Sequence, residues 1–139
     1  MNVKELKKWL VSEGFQVYRT LASGVVLADR ARENLILDSG VQVVGGEPFA
    51  VRLTVRETMR ERPGLDAEER FARLQQLAEG CLARGYRVVG RSTSAIPDPG
   101  NPSSVLDTWY ELTLERKGLE RACLAAELRY ALEHNRSRR

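Results

Sequence analysis

The stretch from Phe49 to Met59 reads FAVRLTVRETM and sets the type of fold. Apolar residues alternate with polar ones along it, which is the period of a β-strand with one buried face. The apolar positions are Phe49, Val51, Leu53, Val55 and Met59, and the polar positions are Arg52, Thr54, Arg56, Thr58 and Arg60. We therefore predict a strand that packs one face and presents the other to solvent or to a partner.

Upstream of this strand, the sequence predicts a helix and several shorter strands. The helix ends at Gly14, a natural left-handed C-terminal position. Its apolar face consists of Val3, Leu6, Trp9 and Leu10. From Phe15 to Ala28 the period is two, with a tight turn at Ser23-Gly24, so we expect a hairpin. Two further β-rich pieces, 35–37 and 41–44, form either one bent strand or two short ones.

Downstream, the sequence predicts a second helix, two strands and a third helix. Asp66 followed by Glu69 is a capping pattern, and an apolar helical stripe comes next. The stripe consists of Phe71, Leu74, Leu77, Ala78, Cys81 and Leu82. Strands are predicted from Tyr86 to Thr93 and from Thr108 to Arg116, and the last helix from Leu119 to about Glu133. Residues 94–104, with three prolines, are interpreted as a long loop.

The order helix, strands, helix, strands, helix predicts an α+β fold. Because no strand-helix-strand alternation demands parallel pairing, we expect an antiparallel sheet of about five strands with three helices. A length of 139 residues suits one domain over residues 1–139. The compact body is expected from about Leu6 to Leu132, with frayed ends.

The sequence contains no recognisable catalytic, cofactor or metal motif. The single histidine, His134, is near the C-terminus, and the glycines and carboxylates lack the spacing of phosphate or metal sites. Glu111 and Glu115 either serve as part of a carboxylate pair for hydrolysis or, as we favour, face solvent or pair with arginines. We therefore predict a non-enzymatic protein with no catalytic residues, cofactor or metal.

Cysteine placement and hydropathy indicate a cytoplasmic protein. Cys81 and Cys123 fall at apolar positions of predicted helices, so both are expected to be buried and reduced. The apolar runs are far shorter than the roughly 20 residues that cross a bilayer. The N-terminus lacks the apolar region of a secretory signal, so we expect no membrane association.

Three arginines recur at every fourth position of the predicted strand. Arg52, Arg56 and Arg60 would lie on one face, about 13 Å apart per step. They either pair with Glu111 and Glu115 of a neighbouring strand, which is commoner for a solvated sheet face, or contact acidic groups or phosphates of a partner.

Trp109 is a further candidate contact because it lies near the proline-rich segment. It is either an interface anchor or is covered by Ile96, Pro97 and Pro99. The candidate partner-binding residues are therefore Arg52, Arg56, Arg60, Pro97, Pro99 and Trp109.

The charge of the chain permits a nucleic-acid partner without demonstrating one. The formal net charge is +3, and the isoelectric point is about 9.1. The sequence has no ribonucleoprotein aromatic signature, helix-turn-helix pair or zinc-finger spacing. We therefore favour a protein partner, with direct nucleic-acid contact secondary.

Composition and length resemble those of one group of small regulators. The basic residues are mostly arginine, with lysine only at Lys4, Lys7, Lys8 and Lys117, and amides are scarce, as in a thermophilic source. The chain resembles bacteriophage-encoded proteins that bind host RNA polymerase in thermophilic bacteria. This resemblance implies a factor in the host cytoplasm that docks on the polymerase flap and the sigma factor and inhibits transcription from some promoters.

The order of elements also resembles YbjN-like and type III secretion chaperone-like folds. Those folds work by binding proteins, usually as dimers. The two resemblances agree on protein binding and differ on the partner.

Overall fold

The computed structural model describes residues 1–30 and 35–136. In these ranges the chain forms an antiparallel sheet of six strands in the order β1-β2-β3-β4-β6-β5, with four helices. The elements are α1 (Val3–Ser12), β1 (Val17–Leu21), β2 (Gly24–Arg30), β3 (Ile36–Val44), β4 (Phe49–Thr58), α2 (Ala67–Leu77), α3 (Glu79–Ala83), β5 (Arg87–Asp98), β6 (Asn101–Leu119) and α4 (Arg121–Arg136). The predicted α+β class is confirmed, although the predicted numbers of strands and helices are each one too low.

Strand β4 has the predicted alternation. Its buried apolar residues are Phe49, Val51, Leu53 and Val55. Glu57 continues this face and is also buried. The strand ends at Thr58, so Met59 and Arg60 lie in the following turn. Met59 is exposed because it has left the sheet, which corrects its predicted place on the packed face.

The predicted second helix is two helices because the backbone departs from helical geometry at Ala78, where ψ is 4°. The capping pattern is confirmed, since Asp66 accepts a hydrogen bond from the Glu69 N–H at 2.8 Å. On the predicted stripe, Phe71 is buried, whereas Leu77 at the end of α2 is exposed. The apolar stripe is therefore buried along α2 up to Leu74, is interrupted at Leu77, and is buried again at Cys81 in α3.

Residues 94–104 are not the long loop that the prolines suggested. Strand β5 runs to Asp98 and β6 begins at Asn101, so their connection is the two-residue turn Pro99-Gly100. Asp98 Oδ1 accepts a hydrogen bond from the Gly100 N–H at 2.9 Å, which fixes the turn. Pro97 is tolerated because β5 is at the end of the sheet, where a missing N–H costs no pairing.

Helix α4 starts and ends later in the chain than predicted. Asn135 is buried, and its Nδ2 donates to the Ser39 carbonyl at 2.9 Å. Arg136 lies 3.1 Å from Asp29, whose hydrogen bond and charge raise the pKa of the guanidinium above its ordinary value. The residues that were expected to fray therefore hold the end of the helix up to Arg136. Residues 137–139, the rest of that expected frayed end, lie outside the described residues.

The N-terminal part follows the local sequence signals closely. Asn2 caps α1 by accepting a hydrogen bond from the Glu5 N–H at 2.8 Å, so the helix includes residues that were expected to fray. The predicted hairpin is confirmed as β1 and β2, with Gly24 where any Cβ would collide with the Val43 carbonyl of β3. Strand β3 is one strand rather than two, with Gly40 at a φ of +75° inside it.

The chain divides into two compact units. The first comprises Met1–Leu53 and Glu115–Arg139, and the second comprises Thr54–Leu114. The core of the first unit includes Leu6, Leu10, Val25, Leu27, Val41, Leu124 and Leu128. The core of the second includes Val55, Phe71, Leu74, Cys81, Leu112 and Leu114. Of the six candidate binding residues, Arg52 belongs to the first unit and the other five belong to the second.

Candidate protein-binding surface

In the second unit, the hairpin of β5 and β6 continues past the end of β4. Strand β4 ends at Thr58, and the Met59 N–H donates to the Thr108 carbonyl at 2.9 Å. The β6 residues that precede Asp107 therefore have β5 as their neighbouring strand and lie beyond β4. We call this two-stranded part, residues 93–106, the arm. At about 3.3 Å per residue, it is about 20 Å long.

The arm is almost uncharged and largely exposed. Asp98 is its single charged residue, and none of its residues is buried. Val105 is 55% exposed and Leu106 is 40% exposed. A two-stranded hairpin is at best marginally stable on its own and gains stability from packing against another surface. These properties make the arm suited to contact with another macromolecule.

Near the base of the arm, Arg56, Trp109 and Glu111 form a cluster. The Arg56 guanidinium lies 4.1 Å from the centroid of the Trp109 ring, and its Nη2 lies 3.0 Å from Glu111 Oε2. The Arg56 side chain is 45% exposed, so some of its donors face solvent. A guanidinium held by an aromatic ring and a carboxylate is preorganised for binding. Tryptophan and arginine are also among the residues that dominate binding energy at protein interfaces.

The three arginines of the predicted row have different surroundings. Arg52 belongs to the first unit, where its Nε lies 2.5 Å from Glu115 Oε2. Arg60 is in the turn after β4, and its backbone N–H donates to Asp107 Oδ1 at 3.1 Å. The favoured pairing with glutamates is therefore present for Arg52 and Arg56, whereas Arg60 was wrongly placed on the strand.

Trp109 is not covered by the prolines near the turn. It lies nine residues along β6 from Gly100, a distance of about 30 Å in an extended strand. Pro97 and Pro99 are exposed at the tip of the arm. The expectation that Ile96, Pro97 and Pro99 fold over the ring is therefore wrong, and the Arg56 guanidinium lies over it instead.

Three charged side chains of the second unit are buried rather than presented to a partner, namely those of Glu57, Arg70 and Asp107. Arg70 is 1% exposed, donates from Nε to the Leu65 carbonyl at 3.0 Å, and lies 5.0 Å from the Tyr110 ring centroid. Glu57 accepts a hydrogen bond from Arg73 Nε at 2.8 Å. These contacts attach α2 to the strands of its unit.

Metal-binding and redox features are sparse in the described part of the chain. No group of three or more His, Cys, Asp or Glu side chains within 1–30 and 35–136 could hold a metal ion. Cys81 is buried and Cys123 is exposed, and neither is in a disulfide. The prediction of two buried cysteines is therefore right for Cys81 and wrong for Cys123. Among the helices that the structure describes, none is long and apolar enough to cross a membrane.

Val105 and Leu106 were not predicted as candidate binding residues, because the three prolines of residues 94–104 indicated a loop next to them rather than a hairpin. The signal that could have found them is the Pro99-Gly100 dipeptide, which marks a turn and therefore a hairpin between two strands. With the turn placed there, the residues on both sides become paired strand positions. Val105 and Leu106 then stand on an exposed two-stranded segment.

Comparison with known proteins gave no match to a protein-family model, to a curated protein or to a solved structure.

Proposed function

We propose that this chain is a non-enzymatic factor that binds another protein through the arm and the Arg56–Trp109–Glu111 cluster. The observation that carries the proposal is the exposure of residues 93–106, which extend past β4 with Asp98 as their one charge. A segment of this kind suits an apolar groove or an open sheet edge on a protein. The neighbouring cluster adds a charged and aromatic contact, which would fix the orientation in which the partner binds.

The charge of the second unit favours a protein over a nucleic acid. Residues 54–114 contain eight arginines, no lysine and nine acidic residues, a formal charge of −1 against +3 for the whole chain. Nucleic-acid binding depends on neutralising phosphates with a surplus of basic side chains. The arm contains no basic residue, so its chemistry fits an uncharged protein surface.

Bacterial RNA polymerase is the partner that we propose to test first, with the flap region and the sigma factor as the contacts and inhibition of transcription as the effect. This choice follows the resemblance to phage-encoded regulators. A client protein of the chaperone type is the alternative, following the resemblance to YbjN-like and secretion-chaperone folds. Both partners would use the same surface of the second unit.

The first experiment is size-exclusion co-elution with polymerase holoenzyme after nuclease treatment. Val105→Asp puts a charge on the arm, and Val11→Asp puts the same charge on α1 at a valine of nearly equal exposure, 56% against 55%. We expect the wild type and Val11→Asp to co-elute and Val105→Asp to elute alone. Arg56→Glu is expected to weaken co-elution because it removes the guanidinium from the cluster.

Elution of the wild type apart from holoenzyme would reject polymerase as the partner. Affinity capture from a bacterial lysate with the same three proteins then tests protein binding itself. A protein retained by the wild type and by Val11→Asp, and lost by Val105→Asp, supports the proposed surface. Equal retention by all three would place the binding site outside the arm.

A further inference from the structure

Strand β5 is a long edge strand with no described strand beyond it. It contains 12 residues, about twice the usual length of a strand, and none of them is buried. One row of its backbone N–H and C=O groups therefore faces away from β6. A long exposed edge of this kind is a template for pairing with another strand.

The turn at Pro99-Gly100 decides which backbone groups face away from β6. In a two-residue hairpin the residues that flank the turn, Asp98 and Asn101, pair with each other. Since the direction of the backbone groups alternates along a strand, the outward groups belong to the odd-numbered residues of β5. These include Arg91, Thr93, Ala95 and Pro97. The missing N–H of Pro97 agrees with this assignment, because the hairpin does not use it.

The middle of this edge lacks the features that normally prevent strand pairing. Charges and prolines are the usual protection of an edge strand. Here Arg87 and Arg91 protect the start, and Pro97 and Asp98 protect the end. Residues 92–96 have neither a charge nor a proline. The unprotected part is therefore short, uncharged and central.

A second copy of the same strand, aligned antiparallel, is complementary to this edge. With the two strands centred on Thr93, that residue lies opposite its equivalent, and Arg91 lies opposite Ala95 of the other copy. Threonine pairs are favourable across antiparallel strands, and no like charges face each other. The alignment also brings Arg87 at the basic start of one strand within one residue of Asp98 at the acidic end of the other. A parallel alignment would place the basic ends side by side.

We infer that two copies of this chain associate through β5, with a two-fold axis at Thr93. Self-association uses the outward backbone edge of β5, which is part of the arm, but neither the Val105 side chain nor the Arg56–Trp109–Glu111 cluster. The inference therefore does not rest on the proposed function: Val105→Asp and Arg56→Glu test partner binding, whereas the Thr93 variants below test self-association. The contact is isologous, because the same residues are used on both copies.

The test uses charges that oppose each other at the axis. In Thr93→Asp and in Thr93→Lys, each homodimer would bring two like charges face to face. We therefore expect the dissociation constant of the dimer to be at least about tenfold higher than in the wild type. An equimolar mixture of the two variants would bring opposite charges together and is expected to restore a dimer. Sedimentation velocity over a concentration series of the full chain measures each case.

The matched controls are Thr20→Asp and Thr20→Lys, at an exposed threonine of β1, the strand at the opposite end of the sheet. They should leave the dimer unchanged. A monomeric wild type at its highest soluble concentration overturns the inference, and so does a dimer that persists in Thr93→Asp. Dimer loss in both Thr93 variants without recovery in the mixture overturns the axis at Thr93. If a charged variant fails to fold, Thr93→Pro removes the outward N–H instead and is expected to be monomeric.

Discussion

Arg70 and Arg73 lie three residues apart on α2, and their guanidinium groups have different hydrogen-bond acceptors. Arg70 is buried with a neutral acceptor, the Leu65 carbonyl, whereas Arg73 donates to the buried carboxylate of Glu57. Replacing a poorly compensated buried charge by an apolar side chain of similar volume is often neutral or stabilising. Removing a hydrogen-bond partner of a buried carboxylate costs about 1–3 kcal/mol. Because Arg62 Nε also lies 3.3 Å from Glu57 Oε1, we expect the loss of Arg73 to fall at the lower end of that range.

We therefore expect Arg70→Met to unfold at a higher urea concentration than the wild type, and Arg73→Met at a lower one. Equilibrium unfolding followed by tryptophan fluorescence gives the midpoint and slope for each variant. Equal loss of stability in both variants would contradict this expectation. It would mean that stacking of Arg70 on Tyr110 outweighs the cost of burying the charge.

The two arginines of β4 that pair with glutamates differ in the exposure of their partners. The Glu115 side chain is 5% exposed and that of Glu111 is 20% exposed. We expect Arg52→Gln to lower the free energy of unfolding by about 2 kcal/mol and Arg56→Gln by less than about 1 kcal/mol. Urea unfolding measures both. If Arg56→Gln proved as costly as Arg52→Gln, its side chain would be a structural element rather than an available binding group.

At the scale of elements, the arm can be shortened without touching the core. Replacing residues 97–102 by Asn-Gly keeps Ile96 and Ser103 as the pair that closes a two-residue turn. Because no buried residue is removed, we expect the free energy of unfolding to change by less than about 1 kcal/mol. Partner binding in the co-elution experiment should be lost. A large loss of stability would show that the arm packs against the rest of its unit.

The elements that the sequence predicted well are those with local signals. The alternation of β4 and the capping by Asp66 depend on neighbouring residues, and both are present. The arm was missed because a proline blocks a strand only if its N–H would face a paired neighbour. For Pro97 that depends on its position at the end of the sheet, which is tertiary information. The helix break at Ala78 lies two residues before Gly80, but a single glycine inside a helical pattern is tolerated and does not fix where a helix ends.

The candidate site was predictable as residues but not as an arrangement. Arg56 and Trp109 were each recognisable by type and pattern, yet their contact requires the register between β4 and β6. The alternation of apolar and polar residues determines which face of the sheet a residue occupies. It does not determine which residue of the neighbouring strand lies opposite. Arg60 shows the same limit, since the pattern continued past the end of the strand at Thr58.

At the scale of the whole molecule, the positive charge lies outside the proposed binding surface. The second unit carries −1, so the other residues carry +4. Lys4, Lys7 and Lys8 contribute to this charge and are exposed on α1. We expect partner binding through the arm to change little between low and moderate salt. Retention on polynucleotide, if the chain is retained at all, should fall steeply with salt because it releases counterions.

The variant Lys4→Gln/Lys7→Gln/Lys8→Gln separates these two kinds of binding. It removes three positive charges from α1 and leaves the second unit unchanged, so it should abolish retention on polynucleotide and leave co-elution with the protein partner intact. Titrations of both ligands at several salt concentrations measure the slopes. Partner binding that falls steeply with salt and is lost in this variant would favour the nucleic-acid alternative, since an uncharged arm cannot produce that dependence.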